Sequence, residues 1–155
     1  MTTEHITKSH NKSLLIYHLV CPVKYRRKVF TEEVENTLKN ICLDIEKRYE
    51  IYFIEIGSDE DHIHFLIQSI PNFSPSSLVN KIKGITSRKI FLQHPKIKKE
   101  ILWGGNFWTA GYYINTVGKF ANEEMMKNYI KNQGVPKQKT YQKIYYNKDQ
   151  LSFFN

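Results

Sequence analysis

Between Leu14 and Val20 the chain runs Leu-Leu-Ile-Tyr-His-Leu-Val and then meets Pro22, a β-rich apolar run that predicts a first strand. Thr31 follows as an N-cap, with Glu32 and Glu33 where a helix dipole favours acids. Val34, Leu38, Ile41, Ile45 and Tyr49 then recur at helical spacing and form a single apolar stripe. Ile51 to Ile56 alternates loosely and predicts a second strand. Gly57-Ser58-Asp59 is turn chemistry, and His62 to Ile70 predicts a third strand in a hairpin with the second. Ser74-Pro75 opens another helix, whose buried side is Leu78, Val79, Ile82, Ile90 and Phe91. Leu102 to Trp108, rich in glycine and aromatics, reads as a loop, and Tyr112 to Val117 as a fourth strand. Asn122 caps a last helix, with Glu123 and Glu124 behind it, that Gly134 and Pro136 end. Residues 1–12 read as a loose tail and 137–155 as a basic, Tyr-rich one.

The order is β-α-β-β-α-β with one more helix. That order predicts an α+β, ferredoxin-like (split βαβ) fold: an antiparallel sheet with helices on one face, in one domain over residues 1–155. No repeat or linker interrupts it.

Charge changes the picture next. The formal net charge is +8 and aromatics make up 14% of the chain. Cations neutralise phosphates and rings stack on unpaired bases, so the pair points to single-stranded or looped nucleic acid. A solvated basic surface around a Tyr-rich core is the plainer alternative. Cys21 and Cys42 form neither a CxxC pair nor a disulfide framework. The polar start of the chain does not resemble a signal peptide, and the longest apolar run is too short to span a bilayer. The expected setting is therefore the reducing cytoplasm, with no membrane partner.

The segment Asp61-His62-Ile63-His64-Phe65-Leu66 carries candidate chemistry. Strand side chains alternate, so His62 and His64 share a face and their Cβ atoms stand about 7 Å apart. Two imidazoles so mounted can chelate one divalent ion. A surface histidine beside a structural one is the plainer reading of His-x-His. Two donors are also too few, because a catalytic metal usually has three protein ligands and an open position. The last helix offers Tyr129 and Gln133, four apart and so on one face: a phenol able to act as nucleophile, and a carboxamide oxygen able to bind a hard cation. Tyr129 equally suits a core position beside Met125, Met126 and Ile130.

These residues together resemble a family: the single-tyrosine HUH transposases of bacterial insertion sequences, which act on single-stranded DNA. The resemblance rests on the histidine pair, on Lys24-Tyr25-Arg26-Arg27 after the first strand, and on Lys83-Gly84-Ile85-Thr86-Ser87-Arg88, similar to a KGxTSR helix. It continues through Leu102-Trp103 and Thr116-Val117-Gly118 to Tyr129-Ile130-x-x-Gln133, similar to a YIxxQ helix. It covers roughly residues 14–136 in the family's order. The chain departs from the family at Cys21-Pro22-Val23, where a tryptophan-led segment is common.

The resemblance implies that Tyr129 attacks a phosphodiester and forms a 5′-phosphotyrosine. It implies a divalent metal, Mg²⁺ or Mn²⁺, held by His62, His64 and Gln133. It also implies a homodimer with composite active sites and a substrate of single-stranded DNA with hairpin ends. Lys24, Arg26, Arg27, Lys81, Lys83 and Arg88 are the expected phosphate contacts. Tyr25, Trp103, Phe107 and Trp108 suit base stacking or core packing, with the two tryptophans assigned to the core. His5, His10, His18 and His94 carry no spacing that argues for ligation. Three rivals stand beside this reading. One is a non-catalytic hairpin binder. Another is a domesticated relative that processes chromosomal palindromic repeats. The third is an RNA-binding domain of ferredoxin-like fold, which would display an RNP-type aromatic run that this chain lacks.

Overall fold

The structure, a computed structural model, describes residues 4–117 and the short strand at 139–140. Two segments precede the main sheet, β1 (Ile6–Thr7) and β2 (Lys12–Ser13), paired antiparallel. The elements then run β3 (Leu15–Pro22), α1 (Glu32–Tyr49), β4 (Tyr52–Ser58), β5 (His62–Ser69), α2 (Pro75–Gln93), β6 (Tyr113–Thr116) and β7 (Lys139–Thr140). The main sheet has the order β6-β3-β5-β4-β7, with every neighbour antiparallel. β3 and β4 therefore run parallel with β5 inserted between them, which is the split βαβ arrangement expected from the element order.

The local chemistry matches the sequence signals. The Thr31 hydroxyl accepts from the Val34 N–H at 3.3 Å, and that of Ser74 from the Ser77 N–H at 3.1 Å, so both helices begin at their expected caps. One face of the sheet packs on the helices. Tyr17, Leu19 and Cys21 of β3, Phe53 and Ile56 of β4, and Ile63, Phe65 and Ile67 of β5 join Leu38, Ile41, Ile45, Leu78, Val79 and Ile82 in one core. The opposite face carries a smaller apolar cluster of Ile16, Ile54 and Leu66, and beside it the buried imidazoles of His18 and His64.

The loose alternation of the second strand has a cause. Phe53 pairs with Ile67 but Glu55 pairs with Leu66, so one extra residue bulges out between them. The bulge restores Ile56 to the core face, opposite Phe65, and sets Gly57 opposite His64. Glycine there leaves no β-carbon beside the imidazole.

Residues 1–12 are not the loose tail expected. From Glu4 onward they fold back as the β1–β2 hairpin, closed by the Lys8 N–H bonding to the Asn11 carbonyl at 2.7 Å. The carboxamide of the buried Gln68 donates to the Glu4 carbonyl at 2.7 Å, and Lys8 pairs with Glu50. A buried amide needs a partner, and the hairpin supplies it. A turn of π-helix at Ile97–Ile101, also unforeseen, links α2 to the aromatic loop. The expected last helix, with Asn122, Tyr129 and Gln133, lies outside the described residues. Of the C-terminal tail only Lys139–Thr140 is described, and it adds an edge strand to β4.

The aromatic loop is clamped to α2. Trp108 Nε1 donates to the Thr86 hydroxyl at 2.9 Å, which in turn donates to the Ile82 carbonyl at 2.7 Å. The Phe107 N–H donates to the Ser87 hydroxyl at 3.1 Å, and Lys83 Nζ donates to the Thr109 carbonyl at 2.7 Å. The KGxTSR-like segment thus holds the loop with three of its side chains. Replacing Thr86 by Val strands the buried indole N–H, and is expected to cost about 1–3 kcal/mol in urea unfolding. Thr86→Ser keeps the hydroxyl and loses less; equal losses in the two variants would overturn this account of the clamp.

Candidate functional site

His62 and His64 stand on the sheet face opposite the helices, as the alternation predicts. Their ring centroids are 5.0 Å apart. Two imidazoles that each bind one ion through a single nitrogen have centroids roughly 4.5–5.5 Å apart, given metal–nitrogen bonds of about 2.1 Å. The spacing therefore fits chelation.

Each ring is oriented by a neighbour that the sequence reading did not assign. His62 Nδ1 lies 2.8 Å from Asp61 Oδ1 and donates to it, which leaves Nε2 as the free nitrogen. Asp61 is gripped in turn by Arg26, whose Nε and a terminal nitrogen reach the two carboxylate oxygens at 3.1 and 3.3 Å. Burial works to raise the Asp61 carboxyl, but the hydrogen bonds from His62 and Arg26 outweigh it and hold the group below the usual carboxylate range. Arg26, expected at a phosphate, is thus engaged within the molecule. On the other side, His64 Nδ1 lies 3.0 Å from His18 Nε2, and both residues are buried, at 3% and 0% exposure.

The His64 Nε2 atom is buried and has no hydrogen-bond partner among the described residues. A buried ring nitrogen without a partner is costly. A divalent ion, shared with the free nitrogen of His62, would satisfy it, so the two residues present fit the expected metal. Among the described residues, no group of three or more His, Cys, Asp or Glu side chains comes together to hold one. The third expected ligand, Gln133, and the expected nucleophile, Tyr129, lie outside the described residues.

His18 is the residue beside the pair that spacing missed. Its signal was two-step: strand parity puts it on the face opposite Tyr17 and Leu19, and β3 pairing with β5 puts that face beside His64. Register pairs His18 with Leu66 and Val20 with His64, so the imidazoles meet across a diagonal.

The expected DNA-contacting residues divide into groups. Lys24, Tyr25, Lys83 and Arg88 line one cleft of about 960 Å³ between α2 and the loop at 105–110, where Lys98 joins them. Lys83 bonds to loop carbonyls there, while Arg88 makes no hydrogen bond or ion pair among the described residues. Arg27 lies over the Trp103 ring at 5.8 Å, beside Tyr25, whose ring is 6.0 Å from that of Trp103. Tyr25 and Trp103 are 55% and 56% exposed, so of the two tryptophans only Trp108 is core; Phe107 is core as well. Trp103 follows Leu102, which takes the inward position and leaves the indole on the rim. Lys81 stands apart, on the flank of α2 that faces Tyr49 and Phe73, at 4.5 and 5.7 Å from their rings.

Comparison with known proteins completes the assignment. The chain belongs to the IS200-like transposase family, whose model ("Transposase IS200 like") matches residues 11–133, and with that family to the DNA-processing enzymes. It is 36% identical over 119 residues to the ISDra2 transposase TnpA of Deinococcus radiodurans, a match covering 77% of this chain and 84% of that protein. It is 32% identical over 125 residues to the transposase for insertion sequence element IS200 of Salmonella typhimurium, covering 81% and 80%. Among solved structures, a candidate transposase of Deinococcus radiodurans R1 aligns with a TM-score of 0.65 at 29% identity, over 84% of this chain and 98% of that one. A REP-associated tyrosine transposase bound to a REP hairpin aligns with a TM-score of 0.53 at 7% identity, over 93% and 74%, a likeness of fold. No helix among the described residues is long and apolar enough to cross a membrane.

Burial of the imidazoles has a measurable consequence. Desolvation lowers His18 to about 4; desolvation, then the neighbouring His18 and His62, lowers His64 to about 3. The folded state therefore binds fewer protons than the unfolded chain between those values and about 6.5. The stabilising contribution is complete above pH 6.5 and is lost as pH falls towards 4. Urea unfolding in EDTA should show stability dropping from pH 7 to pH 5, by up to about 1.4 kcal/mol per pH unit for each histidine. A flat profile across that range would mean that the imidazoles are not held neutral.

Proposed function

We propose that this transposase cleaves and rejoins single-stranded DNA at the hairpin ends of an insertion sequence. The observation that carries the reading is the pair His62 and His64, mounted on a rigid strand, with His62 Nε2 free and His64 Nε2 buried and without a partner among the described residues. In this reading Tyr129 is the nucleophile. Its phenolic oxygen bonds to the scissile phosphorus, the bond to the departing 3′ oxygen breaks, and the tyrosyl proton is balanced by the 3′-OH released. The product is a 5′-phosphotyrosine, and attack by a second 3′-OH reverses the step and reseals a strand. The phosphodiester bond energy is retained in the linkage, in keeping with a chain that has no phosphate-binding GxxxxGK run.

His62, His64 and Gln133 would hold the divalent metal, Mg²⁺ or Mn²⁺, which supplies Lewis-acid polarisation of the phosphate when bound. Two of these donors, His62 and His64, are among the described residues. The reading takes the third, Gln133, from the segment that carries Tyr129, in a homodimer with composite sites. Lys24, Arg27, Arg88 and Lys98 offer cations to the phosphates, and Tyr25 and Trp103 offer exposed rings to unpaired bases. The hairpin carried by the structurally similar tyrosine transposase supports a hairpin as the form of DNA bound.

The test is incubation with labelled single-stranded oligonucleotides from the element's own ends, with Mn²⁺ or Mg²⁺, followed by denaturing electrophoresis. A covalent adduct is expected that disappears with Tyr129→Phe, with His64→Ala and with EDTA. Hairpin binding without an adduct in any metal would instead make the chain a non-catalytic binder. Binding should also weaken with salt. Four phosphate contacts give a log–log slope of roughly −3 to −3.5, and Arg88→Ala should flatten it by about one contact's share. Lys81→Ala, outside the cleft, should change it less; the reverse order would put the DNA on the other flank of α2.

A further inference from the structure

We infer that His18 is a positioning residue for metal binding: it fixes the proton of His64 on Nδ1 and so keeps Nε2 open towards the ion. This rests on the metal reading of His62 and His64 above and adds to it a residue outside the histidine pair.

The geometry carries the inference. The His18 and His64 rings are inclined by only 12°, with centroids 5.2 Å apart and Nε2 to Nδ1 at 3.0 Å. The centroid separation is close to that contact plus one ring radius on each side. The rings therefore meet edge to edge in nearly one plane, not face over face. That is the arrangement of a hydrogen bond directed along a nitrogen lone pair.

One proton serves the bridge, and its owner decides what His64 can do. If His18 Nε2 carries it, His64 accepts at Nδ1 and must hold its own proton on Nε2. That nitrogen would then be an N–H donor, closed to a metal, in a buried place with no acceptor among the described residues. If His64 Nδ1 carries it, Nε2 presents a lone pair. In that case His18 carries its own proton on Nδ1, also a buried atom, so each arrangement places one buried N–H on a ring, and the choice rests on what a metal needs of His64. Metal-binding histidines commonly donate their second ring N–H to an outer partner. His62 does so to Asp61, and His18 is the corresponding acceptor for His64.

β3 makes this acceptor rigid. His18 is fully buried in a strand paired on both sides, opposite Leu66 on β5 and Asn115 on β6. Its ring also stands edge-on to Tyr113, 6.2 Å between centroids. The chain thus supports its two histidines by two separate devices, a carboxylate held by arginine for one and a neutral imidazole for the other.

The experiment uses the full-length chain and two readouts that do not depend on catalysis. ¹⁵N NMR of the metal-free wild type is expected to find His64 protonated on Nδ1 and bare on Nε2. Calorimetric titration with Mn²⁺ is expected to weaken about 10- to 100-fold in His18→Leu, which has no acceptor, with recovery to within several-fold in His18→Gln, whose carboxamide oxygen can accept. Melting curves verify that both variants are folded. If His18→Leu fails to fold, the wild-type spectrum still decides: a proton on His64 Nε2 overturns the inference. Mn²⁺ affinity unchanged in a folded His18→Leu overturns it as well, leaving the metal reading intact. A wild type that binds no Mn²⁺ overturns the metal reading, and this inference with it.

Discussion

Everything in the site depends on the antiparallel pairing of β3 with β5. That ladder sets Leu19 opposite Phe65 and Cys21 opposite Ile63 on the helix side. On the other side it brings His18 next to His64 and carries His62 to the edge where Asp61 and Arg26 meet. A slip of one residue would turn every one of these side chains to the opposite face. It would put imidazoles under the helices and leave Phe65 and Ile67 on the open side. The apolar core is therefore what specifies the polar site: Leu19, Phe65 and their neighbours hold the register, and the histidines occupy the positions the register leaves.

The helices and loops are tied to the same frame. α2 contributes Leu78, Val79 and Ile82 to the core through one flank. Through another it grips the aromatic loop with Lys83, Thr86 and Ser87. The first flank supports the sheet that carries the histidine pair, and the second shapes the cleft. Arg26 links the two regions, since it sits among the basic residues after β3 and yet holds Asp61. The basic segment is thus joined through one ion pair to the backbone of the histidine pair.

Much of this was legible in the sequence because it is governed by periodicity. The caps at Thr31 and Ser74, the apolar stripe of α1, and the shared face of His62 and His64 follow from the spacing of single elements. What was not legible depends on contacts between elements. His18 gains meaning only when β3 lies beside β5. Arg26 looks like any cation until Asp61 stands opposite it. Lys81 and Lys83, two residues apart on one helix, point to different flanks, and only the packed loop tells which one it holds. Residues 1–12 looked loose because their hairpin is two residues a side and is anchored by Gln68, sixty-four positions from Glu4 in the chain. The bulge in β4 was visible only as a blur in the alternation.

Tyr25 and Arg26 both adopt left-handed backbone conformations, with φ of 59° and 52°. Such geometry is rare for a side chain branching from an ordinary Cβ, and two in succession cost on the order of 1–3 kcal/mol each. A chain shaped for thermal robustness alone would place glycine or asparagine there. This one keeps a phenol that projects into solvent and a guanidinium that bonds to Asp61. The left-handed backbone lets adjacent residues serve different ends, an exposed ring at Tyr25 and a grip on the carboxylate beside His62 at Arg26. The fold thus stores conformational tension where an exposed aromatic ring adjoins the support of the histidine pair.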